Sequence, residues 1–490
     1  MGASLLMGTA SCGDSFLETD YYQGIDLDTG LNSVANIGNA LNGTYYTFIY
    51  YGFAGNYATI IGDVASDLTY HNGQTGHMTS LYQFSYLDTD SYLQYIWAYG
   101  YKVADNSARV IKAANTLLPE VPEDEKAELL VYKAEAEALR AYSTFVMTNV
   151  FGHQIKVNGQ DFSSALGAVV IDEPVQAYAN VQRSTVGESY SAILADLNAA
   201  IADFQAAGGD RGDINYFSEA AVYGLRARVN LYMENYTAAR EDAAKAIQIS
   251  GKNTVAYDAK SYKNLYNGGS SNSESLFTLA IDNKTNWSAN SCGSLFTTYG
   301  LSPNRYLLDL YGEDDCRRAI INWTNESGTQ QVQYGETSQP WYGGGKFSCF
   351  SSGNTAEATN YIINIPEMFL IQAEAYINEG NITEAKNALF VVAHRNPAID
   401  STDDLPATKD ALFAFLKDER ARELYQEGHR LWDLRRWNQT TNLEAYGYPE
   451  LEYTYKNVTV GDLLFPVPSA EINTGFGVVQ NPDWGSTRPQ

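Results

Sequence analysis

The chain has 490 residues, of which 44% are hydrophobic, so it is long enough to bury a large core. Its 58 acidic and 32 basic residues give a formal net charge of −26, which repels nucleic acid and anionic lipid surfaces. We therefore exclude nucleic acid as a partner and interpret the acidity as a source of solubility.

The first twelve residues, MGASLLMGTASC, resemble the end of a secretory signal peptide, with a short apolar stretch followed by small residues. In bacterial lipoproteins the cysteine after the cleavage site carries the lipid, and Ala10-Ser11-Cys12 fits that pattern. No later stretch approaches the roughly 20 apolar residues that a membrane-spanning helix needs. We therefore expect residues 1–11 to be a signal-peptide remnant and Cys12 to be the lipid attachment point.

Helical periodicity and high alanine content characterise several long segments. In residues 123–150, Leu129, Ala136 and Leu139 fall on one stripe with charged residues opposite, which is typical of a helix with one buried face. The same pattern predicts helices in four further segments, 187–205, 217–250, 365–395 and 409–437.

Two of these segments, 217–250 and 365–395, also share a spacing of small residues that fits a tetratricopeptide-type helix hairpin. Between them, residues 251–364 are rich in Gly, Ser, Asn and Thr and contain short apolar runs such as SLFTLAI. That composition predicts brief strands and long loops, and loops of this length usually serve a function. The predicted fold class is mainly α, a tetratricopeptide-like helical-repeat scaffold with a loop-rich, short-strand excursion at 251–364.

Residues 419–437, ERARELYQEGHRLWDLRRW, carry a dense pattern of charges. Glu419, Glu423 and Glu427 recur every four residues, with arginines between them, and this spacing builds ion pairs along helix faces. A catalytic general acid needs a raised pKa, which neighbouring arginines would lower. We therefore predict structural ion pairing for this segment.

The sequence contains no motif of a catalytic or metal centre. A GxSxG elbow, an HExxH pair and an EF-hand loop are all missing, and Phe347 follows the GGGK of 343–346 where a phosphate loop needs Ser or Thr. Cys292, Cys316 and Cys349 lack CxxC spacing, so we expect no zinc site. The three cysteines leave open one disulfide with one free thiol, and the sequence does not identify the pair. We expect no catalytic residues, metal site or cofactor, and nothing indicates a structural calcium ion.

The 419–437 segment resembles the signature near the C-terminus of SusD/RagB proteins, outer-membrane lipoproteins of Bacteroidetes that bind glycans or peptides. Further stretches resemble other parts of that family in the expected order: CGDSFLE (12–18), ALRAYSTFVMTNVFG (138–152), EMFLIQAEAYINEG (367–380), LFPVPSAEIN (464–473) and QNPDW (480–484). The resemblance covers nearly the whole chain.

The resemblance implies a SusD-like α/α superhelix, with an N-terminal helical region at 12–215 and a C-terminal SusD/RagB region at 216–490. It also implies a cell-surface protein of the outer membrane that is not an enzyme. Such a protein captures a glycan and delivers it to a TonB-dependent SusC-like transporter.

Candidate ligand-binding residues come from the local sequence. Sugar rings stack on Trp or Tyr, and their hydroxyls need polar side chains, so loops rich in both are favoured. Residues 67–86 and the excursion qualify, and they supply the candidates Tyr70, His71, Asn72, Tyr82, Trp287, Trp341 and Tyr342. Four other tryptophans are assigned to the core or to the structural signature: Trp97, Trp432, Trp437 and Trp484.

Three other functions remain open at this point. A peptide-binding member of the same family would use similar tyrosine-rich loops, and a helical-repeat adaptor would dock proteins through an apolar groove. A glycosidase needs two carboxylates about 5 to 10 Å apart across a cleft. Asp314 and Asp315 are the candidates, but they directly precede Cys316-Arg317-Arg318, so we interpret them as charge-pairing residues.

Overall fold

The computed structural model describes residues 30–71, 75–267, 272–321, 331–334, 337–340, 344–347, 354–441, 458–459, 464–482 and 484. Cys12, Asn72, Trp341, Tyr342 and Cys349 lie outside the described residues. Within the described residues the protein is mainly helical with short antiparallel strand pairs, so the predicted fold class is confirmed.

The first eight helices are α1 (Val34–Phe48), α2 (Tyr57–Val64), α3 (Thr79–Tyr82), α4 (Ser91–Leu117), α5 (Glu123–Phe151), α6 (Val186–Ala207), α7 (Glu219–Tyr232) and α8 (Tyr236–Ser250). The remaining helices are α9 (Ala259–Leu265), α10 (Cys292–Thr297), α11 (Arg305–Leu310), α12 (Ile365–Glu379), α13 (Ile382–Ala393), α14 (Lys409–Leu424), α15 (Arg430–Arg436) and α16 (Ser469–Ile472).

The strands are β1 (Thr69–His71), β2 (Lys156–Val157), β3 (Gln160–Asp161), β4 (Ser275–Leu279), β5 (Leu301–Pro303), β6 (Gln331–Tyr334), β7 (Thr337–Pro340), β8 (Asn360–Asn364), β9 (Thr440–Thr441) and β10 (Val458–Thr459). They pair antiparallel as β1–β5, β2–β3, β4–β8, β6–β7 and β9–β10.

The long helices α4, α5 and α6 pack side by side, and α1 packs on α4. Asp90 is the N-cap residue of helix α4. Its carboxylate accepts the backbone N–H of Tyr92 at 2.8 Å and so satisfies one of the free donors of the first turn. Helix α6 begins with a capping box between Thr185 and Glu188. These caps stabilise the first turn of each helix and fix where it starts.

The two predicted helix hairpins are present as α7–α8 and α12–α13, and α12 also packs against α8. Each predicted segment is divided by a short turn; Gly380, with φ of 82°, ends α12 in the left-handed conformation that glycine adopts without strain. The alanines of α8, such as Ala239 and Ala243, are fully buried, so the helices can approach closely.

The excursion contains the predicted short strands, of which β4 and β8 form a fully buried pair. It also contains the helices α9, α10 and α11, which the composition did not predict. The large hydrophobic core contains residues from all along the chain, from α1 to the C-terminal segment. A smaller core lies among α12, α13 and α14. In the described part of the chain, none of the helices is long and apolar enough to cross a membrane.

The charged segment 419–437 forms buried ion pairs, as predicted, but its partners come mostly from distant parts of the chain. Arg430 in α15 binds both carboxylate oxygens of Asp67 at 2.7 and 2.9 Å. Arg317 binds both oxygens of Asp315 and also reaches Glu419 at 2.7 Å. Because Asp315 is 2% exposed and bound by arginine, it serves in charge pairing and is unsuited to general acid catalysis.

The thiols of Cys292 and Cys316 are buried and free, so no disulfide joins these two residues. Burial raises the pKa of the Cys292 thiol above its usual value. Its sulfur lies 3.6 Å from the carbonyl oxygen of Gly55, to which it donates. Cys292 is therefore a packing residue.

Candidate functional site

Aromatic rings from three separate parts of the chain meet at one surface. We name as the tyrosine cluster the following residues: Tyr46, Tyr50, Tyr51, Tyr95, Tyr99 and Trp287. Tyr46 is in the last turn of α1, Tyr50 and Tyr51 follow it in the α1–α2 loop, Tyr95 and Tyr99 lie one turn apart in α4, and Trp287 belongs to the excursion.

The rings of the tyrosine cluster are arranged as a platform. Tyr50 and Tyr99 stack with centroids 4.2 Å apart and planes at 26°, and Tyr95 and Tyr99 are 6.0 Å apart with planes at 19°. Tyr50 also lies 4.2 Å from Tyr51. Aromatic pairs at these separations stabilise one another beyond simple burial, so the platform exists before a ligand arrives.

The outer edge of the platform is open to solvent. Tyr46 is 58% exposed and Tyr95 is 36% exposed, while Tyr50, Tyr51 and Tyr99 are half-buried. Gly52 lies beneath the rings, and a Cβ at this position would be 3.0 Å from Tyr95, 3.1 Å from Tyr99 and 3.2 Å from Tyr50. The chain therefore needs glycine at residue 52 to let these rings pack together.

Trp287 joins the excursion to the α1–α2 loop. Its indole Nε1 donates to the carbonyl oxygen of Ile49 at 2.9 Å, and its ring contacts Tyr50 edge-on at 5.1 Å. The next residue, Ser288, has φ of 51°, and the Ser294 hydroxyl holds this left-handed turn by donating to the Ser288 carbonyl at 2.7 Å. A strained residue held in this way is a frequent feature of binding sites.

The phenol groups of Tyr50 and Tyr95 are neutral at physiological pH. Burial, together with the hydroxyls of Tyr51 and Tyr99, raises the pKa of Tyr50 well above its usual value. A hydrogen bond with the Tyr51 hydroxyl raises the pKa of Tyr95. Neutral phenols both donate and accept hydrogen bonds, which suits a ligand that carries hydroxyl groups.

A cavity of about 250 Å³ adjoins the platform at Tyr46. Its wall includes the side chains of Asn42, Asn215 and Thr278 as well as Tyr216. Amide and hydroxyl groups beside aromatic rings form a site that contacts both the flat faces and the hydroxyls of a ligand.

Two family models match the sequence, and together they span nearly the whole chain. A model described as "Starch-binding associating with outer membrane" matches residues 16–231, and the SusD family model matches residues 252–484. The chain belongs to the SusD family. No match was found among curated protein sequences.

Solved structures of other SusD proteins share the fold. A SusD superfamily protein from Bacteroides thetaiotaomicron is 21% identical with a TM-score of 0.78, over 92% of this chain and 100% of the other. A second, from Bacteroides vulgatus, is 22% identical with a TM-score of 0.77, over 92% and 99%. A SusD-like carbohydrate binding protein, also from Bacteroides vulgatus, is 20% identical with a TM-score of 0.71, over 84% of each chain.

The predicted ligand-binding residues do not all come together in this SusD-family protein. Trp287 lies in the tyrosine cluster, whereas His71 and Tyr82 contact one another elsewhere and are only 2% and 5% exposed. His71 Nε2 lies 2.7 Å from the carbonyl oxygen of His77, and burial lowers the pKa of His71. Tyr70 is half-buried in β1, opposite Ser302 of β5. We leave the buried His71 and Tyr82 out of the site, because a ligand does not reach buried side chains without rearrangement. Tyr70 stays a prediction.

The sequence did not predict the tyrosines of the cluster as site residues, because loops rich in aromatic and polar residues were favoured. Tyr46, Tyr95 and Tyr99 lie in helices, and Tyr50 and Tyr51 lie in the short α1–α2 loop. Their signal is a high local density of tyrosine, in YYTFIYYG at 45–52 and SYLQYIWAYGY at 91–101. In both segments the rings recur at spacings of three to five residues, which places several of them on one side of a helix. Trp97, predicted to be a core residue, is buried, and so is Trp432 of the predicted structural signature.

The described residues contain no cluster of three or more His, Cys, Asp or Glu side chains able to hold a metal ion. The polar side chains that line the adjoining cavity are amides, hydroxyls and phenols. The arrangement can therefore bind a neutral ligand by stacking and hydrogen bonding.

Proposed function

We propose that this SusD-family protein binds an oligosaccharide on the tyrosine cluster and in the adjoining cavity, and that it catalyses no reaction. The observation that carries the proposal is the near-parallel pair Tyr95 and Tyr99, which Tyr50 links to Trp287 and of which Tyr95 is 36% exposed. Sugar rings present flat C–H faces, and such faces gain most from aromatic rings that are already fixed in place.

The composition of the site supports a glycan. The cavity beside Tyr46 offers Asn42 and Asn215, whose amides match the donor and acceptor pattern of sugar hydroxyls. Among the described side chains, the cation that contacts a ring of the platform is Lys102, 5.8 Å from the centroid of Tyr99. A ligand with several charges would therefore find few ionic partners there. The carbohydrate-binding relative from Bacteroides vulgatus agrees with this proposal.

The proposal includes a place in the cell. We expect the chain to be anchored by a lipid at Cys12 on the outer face of the outer membrane, where it captures glycan and delivers it to a SusC-like TonB-dependent transporter. The family model whose description names starch binding and association with the outer membrane supports this location. The signal-like residues before Cys12 support the anchor.

A glycan array on the purified protein tests the proposal, followed by calorimetric titration of the tightest ligand. We expect Tyr95→Ala and Tyr46→Ala each to weaken binding about tenfold, because each removes a stacking surface worth more than about 1 kcal/mol. Tyr257→Ala is the matched control, since Tyr257 is also exposed, at 45%, but packs on His394 far from the tyrosine cluster in sequence.

Equal affinity of the wild type and both cluster variants would remove the tyrosine cluster as the site. Failure to bind any glycan, together with binding to members of a peptide panel, would favour the peptide-binding function. Binding to neither, with capture of a protein partner by the apolar surface, would favour the adaptor function.

A further inference from the structure

A second cavity, of about 480 Å³, lies on the other side of helix α4. The helix contributes Trp97, Tyr101 and Asp105, which follow one another at intervals of four residues and so share one face. Tyr95 and Tyr99 lie on a different face, in the tyrosine cluster. Helix α4 thus separates two binding surfaces.

The cavity is built from parts that hydrogen bonds hold in place. The Tyr101 hydroxyl accepts the N–H of Val169 at 2.8 Å, and Asp105 accepts the N–H of Val175 at 2.7 Å. On the opposite wall, the N–H of Val181 donates to the carbonyl of Phe476 at 2.8 Å and so connects the loop before α6 to the C-terminal segment. The volume falls within the range of about 300 to 1,000 Å³ that is usual for small-molecule sites, and the walls are already assembled.

The lining is mainly aliphatic and aromatic, and its polar side chains are Gln94, Asp105 and Glu471. Val169, Ile171, Val175, Val181 and Val478 supply aliphatic walls. Beside Glu471, Trp97 Nε1 donates to Glu471 Oε2 at 3.2 Å, and the Trp97 and Tyr101 rings meet edge-on at 4.7 Å. A carboxylate beside two aromatic rings is a favourable arrangement for an organic cation.

The charges around the cavity leave Glu471 as the unmatched group. Asp105 is paired with Arg109 at 2.9 Å, whereas Glu471 has no salt-bridge partner among the described residues. Arg183 is close to Tyr101 but does not line the cavity. Its guanidinium donates to the carbonyls of Gly167 and Phe151 at 2.8 Å. The cavity therefore has one carboxylate without a salt-bridge partner, that of Glu471, in a mainly apolar lining.

We propose that this cavity is a second ligand site, which takes a small organic ammonium ion with an apolar body, such as an arylalkyl or branched alkyl amine. The ammonium group pairs with Glu471 and lies against Trp97 and Tyr101, while the apolar body fills the space between the valines. This site is independent of the tyrosine cluster and of the ligand that the cluster binds.

Three probes of nearly equal size test the proposal: 2-phenylethylamine, 2-phenylethanol and phenylacetate. Ligand-observed NMR titrations measure their dissociation constants on the purified protein at pH 7. For so few atoms we expect a Kd on the order of 1 mM for the amine, about tenfold weaker binding of the alcohol and none of phenylacetate.

Three variants assign the site. Glu471→Gln keeps an acceptor for Trp97 but removes the charge, so amine binding should fall about tenfold while alcohol binding stays the same. Ala98→Phe places a ring in the cavity from a solvent-exposed position of α4 and should abolish binding of both. Tyr95→Ala should leave both unchanged. The proposal is overturned if no probe binds, if amine and alcohol bind equally, or if Glu471→Gln leaves amine affinity unchanged.

Discussion

Trp287 and Ile49 are 238 residues apart in sequence, yet the indole N–H of Trp287 donates to the carbonyl of Ile49 at 2.9 Å. This contact attaches the excursion to the end of α1 and sets Trp287 against Tyr50. Trp287 therefore has two roles: its ring is part of the proposed glycan site, and its hydrogen bond connects the excursion to the α1–α2 loop.

Replacing Trp287 by Phe separates these two roles. Phe keeps an aromatic ring but leaves the Ile49 carbonyl without its donor, so we expect the free energy of unfolding to fall by about 1 kcal/mol. Glycan affinity should drop only a few-fold, whereas Trp287→Ala should lower both affinity and stability further. Urea unfolding and calorimetric titration measure the two effects. A Phe variant as weak in binding as the Ala variant would show that the indole itself contacts the ligand.

Gly52→Ala tests whether the platform depends on close ring packing. The added methyl group would lie 3.0 to 3.2 Å from the rings of Tyr95, Tyr99 and Tyr50, so these rings must shift. We expect at least a fivefold loss of glycan affinity, roughly 1 kcal/mol. Gly43→Ala is the matched control, because a Cβ added there would have no atom within 4 Å; this helical substitution should stabilise α1 by roughly 0.5 to 1 kcal/mol. Unchanged affinity in Gly52→Ala would show that the ligand does not rest on these rings.

The buried Arg430–Asp67 pair should be essential for stability. Both side chains are almost fully buried, so Arg430→Met would leave an unpaired carboxylate in the core, at a cost of about 3 to 5 kcal/mol. Arg305→Ala breaks an exposed pair with Asp309, whose side chain is 59% exposed, and should cost less than about 1 kcal/mol. Chemical denaturation compares the two variants. Similar losses in both would contradict a structural role for the 419–437 charges.

Asp63 predicts a dependence of stability on pH. Burial raises its pKa to about 7, although it accepts the N–H of Gly428 at 2.9 Å. The folded state therefore holds a proton that the unfolded chain releases near its ordinary pKa of about 3.9, and this contribution to stability is lost as pH rises towards 7. Asp63→Asn mimics the protonated acid, so it should gain about 2 to 3 kcal/mol relative to the wild type between pH 5 and pH 8. Parallel pH profiles of the two proteins would refute this assignment.

Cys12 predicts membrane attachment. We expect Cys12→Ala to move the protein from the membrane fraction to the soluble fraction, because a single cysteine carries the proposed lipid. Cell fractionation with a Cys292→Ala control separates a specific effect from a general loss of thiols, since Cys292 is a buried packing residue. Retention of Cys12→Ala in the membrane fraction would show that another part of the chain provides the attachment.

The sequence by itself determined the helical scaffold and the role of the charged segment. Residues 123–150 predicted α5 to within one residue, because helical periodicity is a local property of the chain. The spacing of Glu419, Glu423 and Glu427 likewise indicated ion pairing rather than catalysis. The family signatures were also recognisable, since they are contiguous strings of residues.

Only the tertiary structure decided which residues meet at the site. Nothing in the sequence around Tyr50 shows that its ring stacks on Tyr99, and nothing local to Trp287 shows that its ring lies against Tyr50. The partner of Arg430 is likewise Asp67, 363 residues away, rather than a neighbour on its own helix. Stacking and ion pairing act between groups a few Å apart in space, and the fold, not the spacing along the chain, brings such groups together.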